Sequence, residues 1–295
     1  MSDLQTAPLA PGLYLVATPI GNLGDITLRA LDVLRQVDRI ACEDTRQTQK
    51  LLNHFSIEKP TVSCHEHNER ERAEQLLGEL EAGGRIALVS DAGMPGISDP
   101  GAFLVPAAIA RGIAVHPIPG ANAALSALVA SGLSTAEFHF IGFLPEKAGA
   151  RRSRLEALAR EINSAGNKRT LLFYEAPHRI LETLADLESV WGLGLHAVLA
   201  RELTKLHEEF HRGTLAEIRA DLAARDRIRG EITLVLEVAP QAADAPSQEK
   251  LTDRLTRLQA ENGIDEKEAL KRLARELGQS KSDLYRELQR LRARR

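Results

Sequence analysis

Short apolar runs separated by helix-length stretches constrain this chain more than any other feature. Residues 13–17 read LYLVA, Arg39–Cys42 reads RIAC, Thr61–Ser63 reads TVS, Arg85–Val89 reads RIALV, and a further run covers 113–117. A run that stays apolar on both faces suits a parallel strand covered by helices on both sides. Between the runs, Leu28, Leu31, Leu34 and Val37 recur at three-residue spacing, with Asp25 as the expected N-cap. Further helices are predicted up to about Asn53, around Leu76, Leu77 and Leu80, over 102–111 and after 119–124. Strand alternating with helix calls for βαβ units and a parallel sheet.

In such a sheet the loops that follow the strands gather along one edge, where open α/β folds bind ligands. Here those loops are chemically unusual. Residues 88–101, LVSDAGMPGISDPG, hold three glycines, two prolines and two aspartates directly after a strand. Glycine permits close backbone approach and proline fixes direction, so this loop reads as a ligand cradle. Thr18-Pro19-Ile20-Gly21-Asn22-Leu23-Gly24-Asp25, Glu43-Asp44-Thr45-Arg46, Cys64-His65-Glu66-His67-Asn68-Glu69 and Pro119-Gly120-Ala121-Asn122-Ala123-Ala124 follow other strands of the same sheet.

After Gly132 the pattern changes. Phe138–Phe143, 170–174, 197–201 and Ile232–Val238 read as strands, with helices near 151–162, 177–188 and 215–224. We expect one α/β lobe over 12–132, a second over 133–239 with a mixed sheet, a linker over 240–248 (PQAADAPSQ), and a helical extension over 249–295. Net charge is −3, but residues 267–295 carry ten Lys/Arg against four Asp/Glu, so a basic tail follows an acidic body. No apolar run is long enough to span a bilayer. Cys42 and Cys64 are the two cysteines, and the N-terminal residues lack a signal-peptide pattern; both point to a cytoplasmic protein without disulfides.

Familiar nucleotide and hydrolase signatures are missing: there is no GxGxxG after the first strand, no GxxxxGK[ST] and no GxSxG. His65-Glu66-His67 beside Cys64 is the one metal-like string, but no second ligand cluster accompanies it, so we expect cleft-lining histidines and no metal. In Glu43-Asp44-Thr45-Arg46 a general base and a helix cap are equally compatible with the spacing. Tyr174-Glu175-Ala176-Pro177-His178-Arg179 and 201–209 place charges at strand ends of the second lobe, where we expect function.

Nine strings occur in order: LVATPIGNLGDITLRAL, CEDTR, HEHNE, SDAGMPGISDPG, IPGANAA, SGL, GFLP, YEAPHR and RELTK. Together they resemble the ribosomal RNA small-subunit methyltransferase I family, over about residues 12–238, and the tail resembles that family's C-terminal extension. Met94 and Asn122 depart from the pattern, standing where threonine and serine are usual. The resemblance implies the two-lobe class III fold of the tetrapyrrole methylase superfamily, with S-adenosylmethionine as methyl donor in the cleft between lobes. By that resemblance the cofactor contacts are Pro19, Gly21, Asp91, Ala92, Gly93, Met94, Pro95, Gly120, Ala121, Asn122, Ala123, Glu175 and Ala176.

The implied reaction is 2′-O-methylation of a cytidine in the decoding region of small-subunit ribosomal RNA, presented free or in the assembled subunit. Glu43, Asp44, Glu175 and Lys205 are the expected catalytic residues; His65, Glu66, His67, His178 and Glu202 are further candidates for the proton acceptor. Arg46, His65, His67, Arg179, Arg201 and Lys205 are expected to hold the substrate. A homodimer is expected, with no membrane partner. Methylation of a small tetrapyrrole and a non-catalytic RNA-binding role are the competing readings. The basic tail disfavours the first and the strand-end carboxylates disfavour the second.

Overall fold

Five strands form the first sheet: β1 (Gly12–Val16), β2 (Arg39–Cys42), β3 (Thr61–Ser63), β4 (Arg85–Val89) and β5 (Val115–Ile118), in the order β3-β2-β4-β1-β5. The computed structural model describes residues 8–65, 68–99, 101–240, 255–256, 258–259, 263–276, 284–286 and 288. Every pairing in this sheet is parallel, with Leu13 opposite both Ile86 and Val115. Pro117 cannot donate to a ladder, and it sits on the edge strand, where a missing donor costs little.

Helices α1 (Leu28–Gln36) and α2 (Thr45–His54) cover one face of the sheet, packing Leu31, Leu34 and Leu52 on Val16, Ile40 and Val89. Helices α3 (Glu69–Glu81) and α4 (Leu104–Ala110) cover the other, packing Leu76, Leu77 and Leu104 on Leu13, Ile86 and Leu88. The cap of α1 differs from expectation. Residues Leu23–Asp25 close a one-turn 3-10 helix capped by Asn22, so the chain turns before Thr27, which caps α1 by accepting from Ala30 N–H at 3.0 Å. Leu28 is consequently exposed and not part of the core.

The second sheet contains β6 (Phe138–Phe143), β7 (Arg169–Glu175), β8 (His196–Arg201), β9 (Glu209–Thr214) and β10 (Ile232–Val238), ordered β6-β7-β10-β8-β9. β6 and β7 are parallel and the remaining pairs antiparallel, which makes this sheet mixed. Strand β9 was not expected. Its sequence, EFHRGT, is nearly polar because it is an edge strand, and edge strands tolerate charge.

Helices α6 (Ala148–Ala165), α7 (Ile180–Trp191) and α8 (Leu215–Ala223) cover one face of this sheet. Arg151, buried on α6, donates to Asp186 on α7 at 2.7 Å and to the Glu146 carbonyl at 3.1 Å, which ties the two helices together. The opposite face is covered by α5 (Ala123–Ser131), whose Ala127 and Leu128 pack on Leu172, Val198 and Val235. That helix follows the last strand of the first sheet yet buries its apolar side on the second, so it joins the two lobes.

The C-terminal unit, by itself, contains α9 (Glu266–Glu276), which buries Ala269, Leu270 and Leu273 with Leu255, Leu284 and Leu288. Nearly all of the linker expected over 240–248 lies outside the described residues.

Candidate active site

The loops after β1, β4 and β5 are locked together by backbone. Thr18 and Gly93 exchange two hydrogen bonds, of 2.9 and 3.1 Å, as an isolated bridge. Thr18 Oγ1 donates to the Ser90 carbonyl at 3.1 Å, and Ser90 Oγ donates to the Gly93 carbonyl at 3.1 Å. Gly93 sits at φ +89°, a conformation that glycine reaches without strain. Gly120 presses so closely on Ala17 that an added Cβ would stand 2.8 Å from the Ala17 Cβ. Asn122, where serine was the expected residue, still caps α5 by accepting from Leu125 N–H at 2.9 Å.

The far end of the 88–101 loop is anchored by Glu69. This buried carboxylate accepts from the N–H groups of Gly101, Phe103 and Leu104, each at 3.0 Å, and so caps the start of α4. Between the two anchors Ile97, Ser98 and Asp99 line a cleft, with Ser98 held at φ +62°.

These loops and the ends of β7 and β10 enclose a cleft of about 330 Å³. Its apolar wall comprises Ile20, Met94, Ile97, Phe143 and Tyr174. Its polar groups are Asp91, Asp99 and Asn122, with the 175–177 and 231–233 segments opposite. The Tyr174 ring packs against Phe140 and Phe143, and its hydroxyl accepts from Ala124 N–H at 3.3 Å.

Carboxylates crowd the first-sheet side of the cleft. Burial, and then the Asp91 charge, push the Glu43 carboxyl up. Burial also raises Asp91, whose Oδ1 accepts from Asp44 N–H at 3.1 Å. Asp99 is pushed up to about 7 by burial, by the charges of Glu43 and Asp91, and by its hydrogen bond with Glu43. Asp44 goes the other way. Its carboxylate caps α2 and pairs with Arg46, at 2.8 Å to the backbone N–H and 2.9 Å to Nη2, which holds it down at about 2.

Of the residues expected at the cofactor, Asp91, Ala92, Gly93, Met94, Asn122, Ala123, Glu175 and Ala176 line the cleft. Pro19, Gly21, Pro95, Gly120 and Ala121 are not among its lining residues; Gly120 backs it through Ala17, and Gly21 abuts the Lys205 stem. Glu43 and Asp44 stand just behind Asp99 and Asp91.

The second-sheet charges are paired with one another. Glu175 has no exposed side-chain surface; its carboxylate accepts from Ala176 N–H at 2.7 Å, from Thr183 Oγ1 at 2.6 Å and from Arg179 Nε. The two charges of the pair are thereby met within the protein. Arg201 is likewise occupied, by Glu209 and by the Arg229 carbonyl at 2.9 Å. Lys205 Nζ bridges Glu202 at 2.8 Å and Glu231 at 3.1 Å. Arg46 reaches solvent beside Asp44, and His65 ends β3 with its N–H on Asn68 Oδ1 at 2.8 Å. Glu66 and His67 lie outside the described residues.

Sequence reasoning missed Asp99, Tyr174, Phe143 and the capping role of Glu69. For Asp99 a signal was present, as the second aspartate of the same Gly/Pro loop. For Glu69 there was none, because its three partners lie on a different element.

With this geometry in place, the chain can be set beside known proteins. Residues 12–219 match the family model described as tetrapyrrole (corrin/porphyrin) methylases. Proteins named ribosomal RNA small subunit methyltransferase I are similar along most of their length. That of Halalkalibacterium halodurans is 49% identical, covering 92% of this chain and 93% of that protein. That of Synechocystis is 49% identical, covering 92% and 95%, and that of Bacillus subtilis 44%, covering 92% of each. Among solved structures, uroporphyrin-III C-methyl transferase from Thermus thermophilus, complexed with S-adenyl homocysteine, superposes with a TM-score of 0.54 at 17% identity, over 76% of this chain and 96% of that one. Diphthine synthase gives 0.57 at 15%, over 76% and 89%. By fold and by sequence, the chain belongs to the tetrapyrrole methylases and, among them, to the ribosomal RNA small subunit methyltransferase I family.

Proposed function

We propose that this protein transfers a methyl group from S-adenosylmethionine to the 2′-oxygen of a cytidine in the decoding region of small-subunit ribosomal RNA. The observation that carries the chemistry is the Asp99–Glu43 carboxyl pair at the wall of a mainly apolar cleft. The cleft fits the cofactor. Its volume, about 330 Å³, falls within the roughly 300–1,000 Å³ of small-molecule pockets. Gly93 lines it at φ +89°, so that backbone, and no side chain, faces the ligand there. Ile20, Met94 and Phe143 suit an adenine, and Asp91 with the Asn122 turn suits the polar end.

S-adenosylmethionine supplies an electrophilic methyl group already activated by its sulfonium. What remains for the chain is to align a hydroxyl with that methyl and to take its proton. Asp99 reaches the cleft and Glu43 backs it, so the pair holds one proton between them near neutral pH and accepts another group's proton once Asp99 is ionised. Glu175 and Arg179 fix the turn that leads into α7, of which Ala176 and Pro177 line the cleft.

The basic tail completes this reading as a grip on RNA backbone, which positions without specifying sequence. Truncation after Val238 should leave cofactor affinity unchanged and flatten the salt dependence of subunit binding, because fewer counterions are released. We place the enzyme in the cytoplasm as a homodimer, to which the exposed Leu125 and Val129 of α5 offer an apolar face; sedimentation tests that assembly. The deciding experiment is transfer of labelled methyl to purified small subunits and to deproteinised RNA, followed by nucleoside analysis. 2′-O-methylcytidine supports the proposal. Label on another nucleoside, or only on an added tetrapyrrole, overturns it.

A further inference from the structure

The loop between β8 and β9 is built at a cost that its own packing does not explain. Glu202 and Thr204, neither of them glycine, sit at φ +53° and +65°. The loop is braced throughout. Lys205 N–H donates to the Glu202 carbonyl at 3.0 Å, Glu208 N–H to the Lys205 carbonyl at 3.1 Å, and Thr204 N–H to Glu208 Oε2 at 2.7 Å. Lys205 Nζ clamps Glu202 and Glu231, and Glu231 N–H donates to Glu202 Oε1 at 2.9 Å. Leu203 is buried beneath. The product of this bracing is a fixed tip carrying Leu206, whose surface is 92% exposed.

A single exposed leucine is ordinary; one held out by a strained loop braced beside the cleft points to a partner. The neighbouring 225–231 segment indicates which. It is joined to the loop through the Arg201–Arg229 carbonyl and Glu202–Glu231 hydrogen bonds. Arg201 and Arg225 are spent on Glu209, and Lys205 on Glu202 and Glu231. Arg227 and Arg229 are exposed and make no ion pair among the described residues, against one exposed acid between them and Arg225, Asp226. No other large apolar side chain of these two segments is exposed, so the surface is too small for a protein partner and matches one base flanked by phosphates.

We propose that Leu206 is a rigid wedge that packs against a base next to the target nucleotide, while Arg227 and Arg229 hold the adjoining phosphates. A ribose 2′-oxygen in folded RNA reaches a cleft only if the strand is locally unstacked, and an apolar wedge provides that. The proposal rests on the RNA reading above. Leu206 is therefore a positioning residue.

The test uses full-length protein, purified small subunits and labelled S-adenosylmethionine. L206A should lower kcat about tenfold or more, with melting temperature and cofactor affinity unchanged. R227A with R229A should raise KM and flatten the log–log salt slope by about 1.4, roughly 0.7 per phosphate contact for single strands. Leu206→Met should restore most of the kcat. If the wild-type protein methylates subunits and the alanine variants match it, the wedge is refuted and the RNA reading stands. If the wild-type protein transfers no methyl to RNA, both fall. If L206A changes the sedimentation coefficient in proportion to its lost rate, the tip is a contact between copies and the wedge is refuted.

Discussion

Both sheets end in carboxylates at the cleft, and the two groups behave in opposite ways. On the first sheet Glu43, Asp91 and Asp99 face one another, and all three are raised. On the second sheet the carboxylates are held by cations: Glu175 by Arg179, Glu202 by Lys205, and Glu209 by Arg201 and Arg225. Burial opposes ionisation at Glu209, but the hydrogen bonds from Arg201, Arg225 and His211 outweigh it and hold the carboxyl at about 2. A carboxylate clamped by arginine is a structural strut. On the first sheet burial, reinforced by neighbouring carboxylates, raises all three, and it carries Asp99 to about 7, where its proton can be exchanged with a substrate. On the function proposed above, the first sheet carries the chemistry and the second holds the cleft rigid.

The largest expected effect comes from Asp99→Asn. Loss of a general base should lower kcat by about 10²–10⁴-fold and abolish the rise in rate as pH increases through about 7. Stability should move the other way. A carboxyl held at about 7 in the native state and about 3.9 when unfolded makes wild-type stability fall as pH rises from about 4 through about 7. Asp99→Asn should therefore melt higher than wild type at pH 8, with the gap narrowing as pH falls and closing at about pH 4. A full-rate variant would remove Asp99 from the chemistry.

Glu175→Gln probes the other side. Removing the buried carboxylate that holds the largely covered Arg179 should cost about 3–5 kcal/mol, read as a lower melting temperature, while the folded fraction keeps its rate. The sequence alone suggested the reverse, loss of rate with stability kept. A collapse in kcat at unchanged melting temperature would reinstate Glu175 as a catalytic group.

Arg201→Ala should do less, about 1–2 kcal/mol, since Arg225 still holds Glu209. Subunit affinity should not change, because this guanidinium is occupied. A clear loss of affinity in a filter-binding titration would show that the clamp opens for RNA. The smallest effect, none, is expected from chelation. The first-sheet carboxylates are read as proton holders, so calorimetric S-adenosylmethionine affinity should be the same with and without EDTA.

Much of the fold was legible because its signals are local. Residues 13–17, 39–42 and 85–89 are continuously apolar, and a strand buried on both faces can hardly read otherwise. The Gly/Pro loop after β4 announced a cradle by backbone chemistry alone. Strand β9 escaped because an edge strand needs no apolar pattern, and the cap of α1 was misplaced because a 3-10 turn precedes it.

By itself, the sequence determined where the strands other than β9 lie, that their loops share one edge, and, through its ordered motifs, which family the chain belongs to. It could not decide which charged residues at that edge are free to react. Asp99 and Glu43 are fifty-six positions apart, and Glu209 meets Arg225 across sixteen, yet the first contact favours a protonated carboxyl and the second an ionised one. Propensity and periodicity act along the chain, whereas desolvation and Coulomb interactions act through space. Only the packing of α5 against the second sheet, the Thr18–Gly93 bridge and the Glu69 cap bring those groups to their final separations.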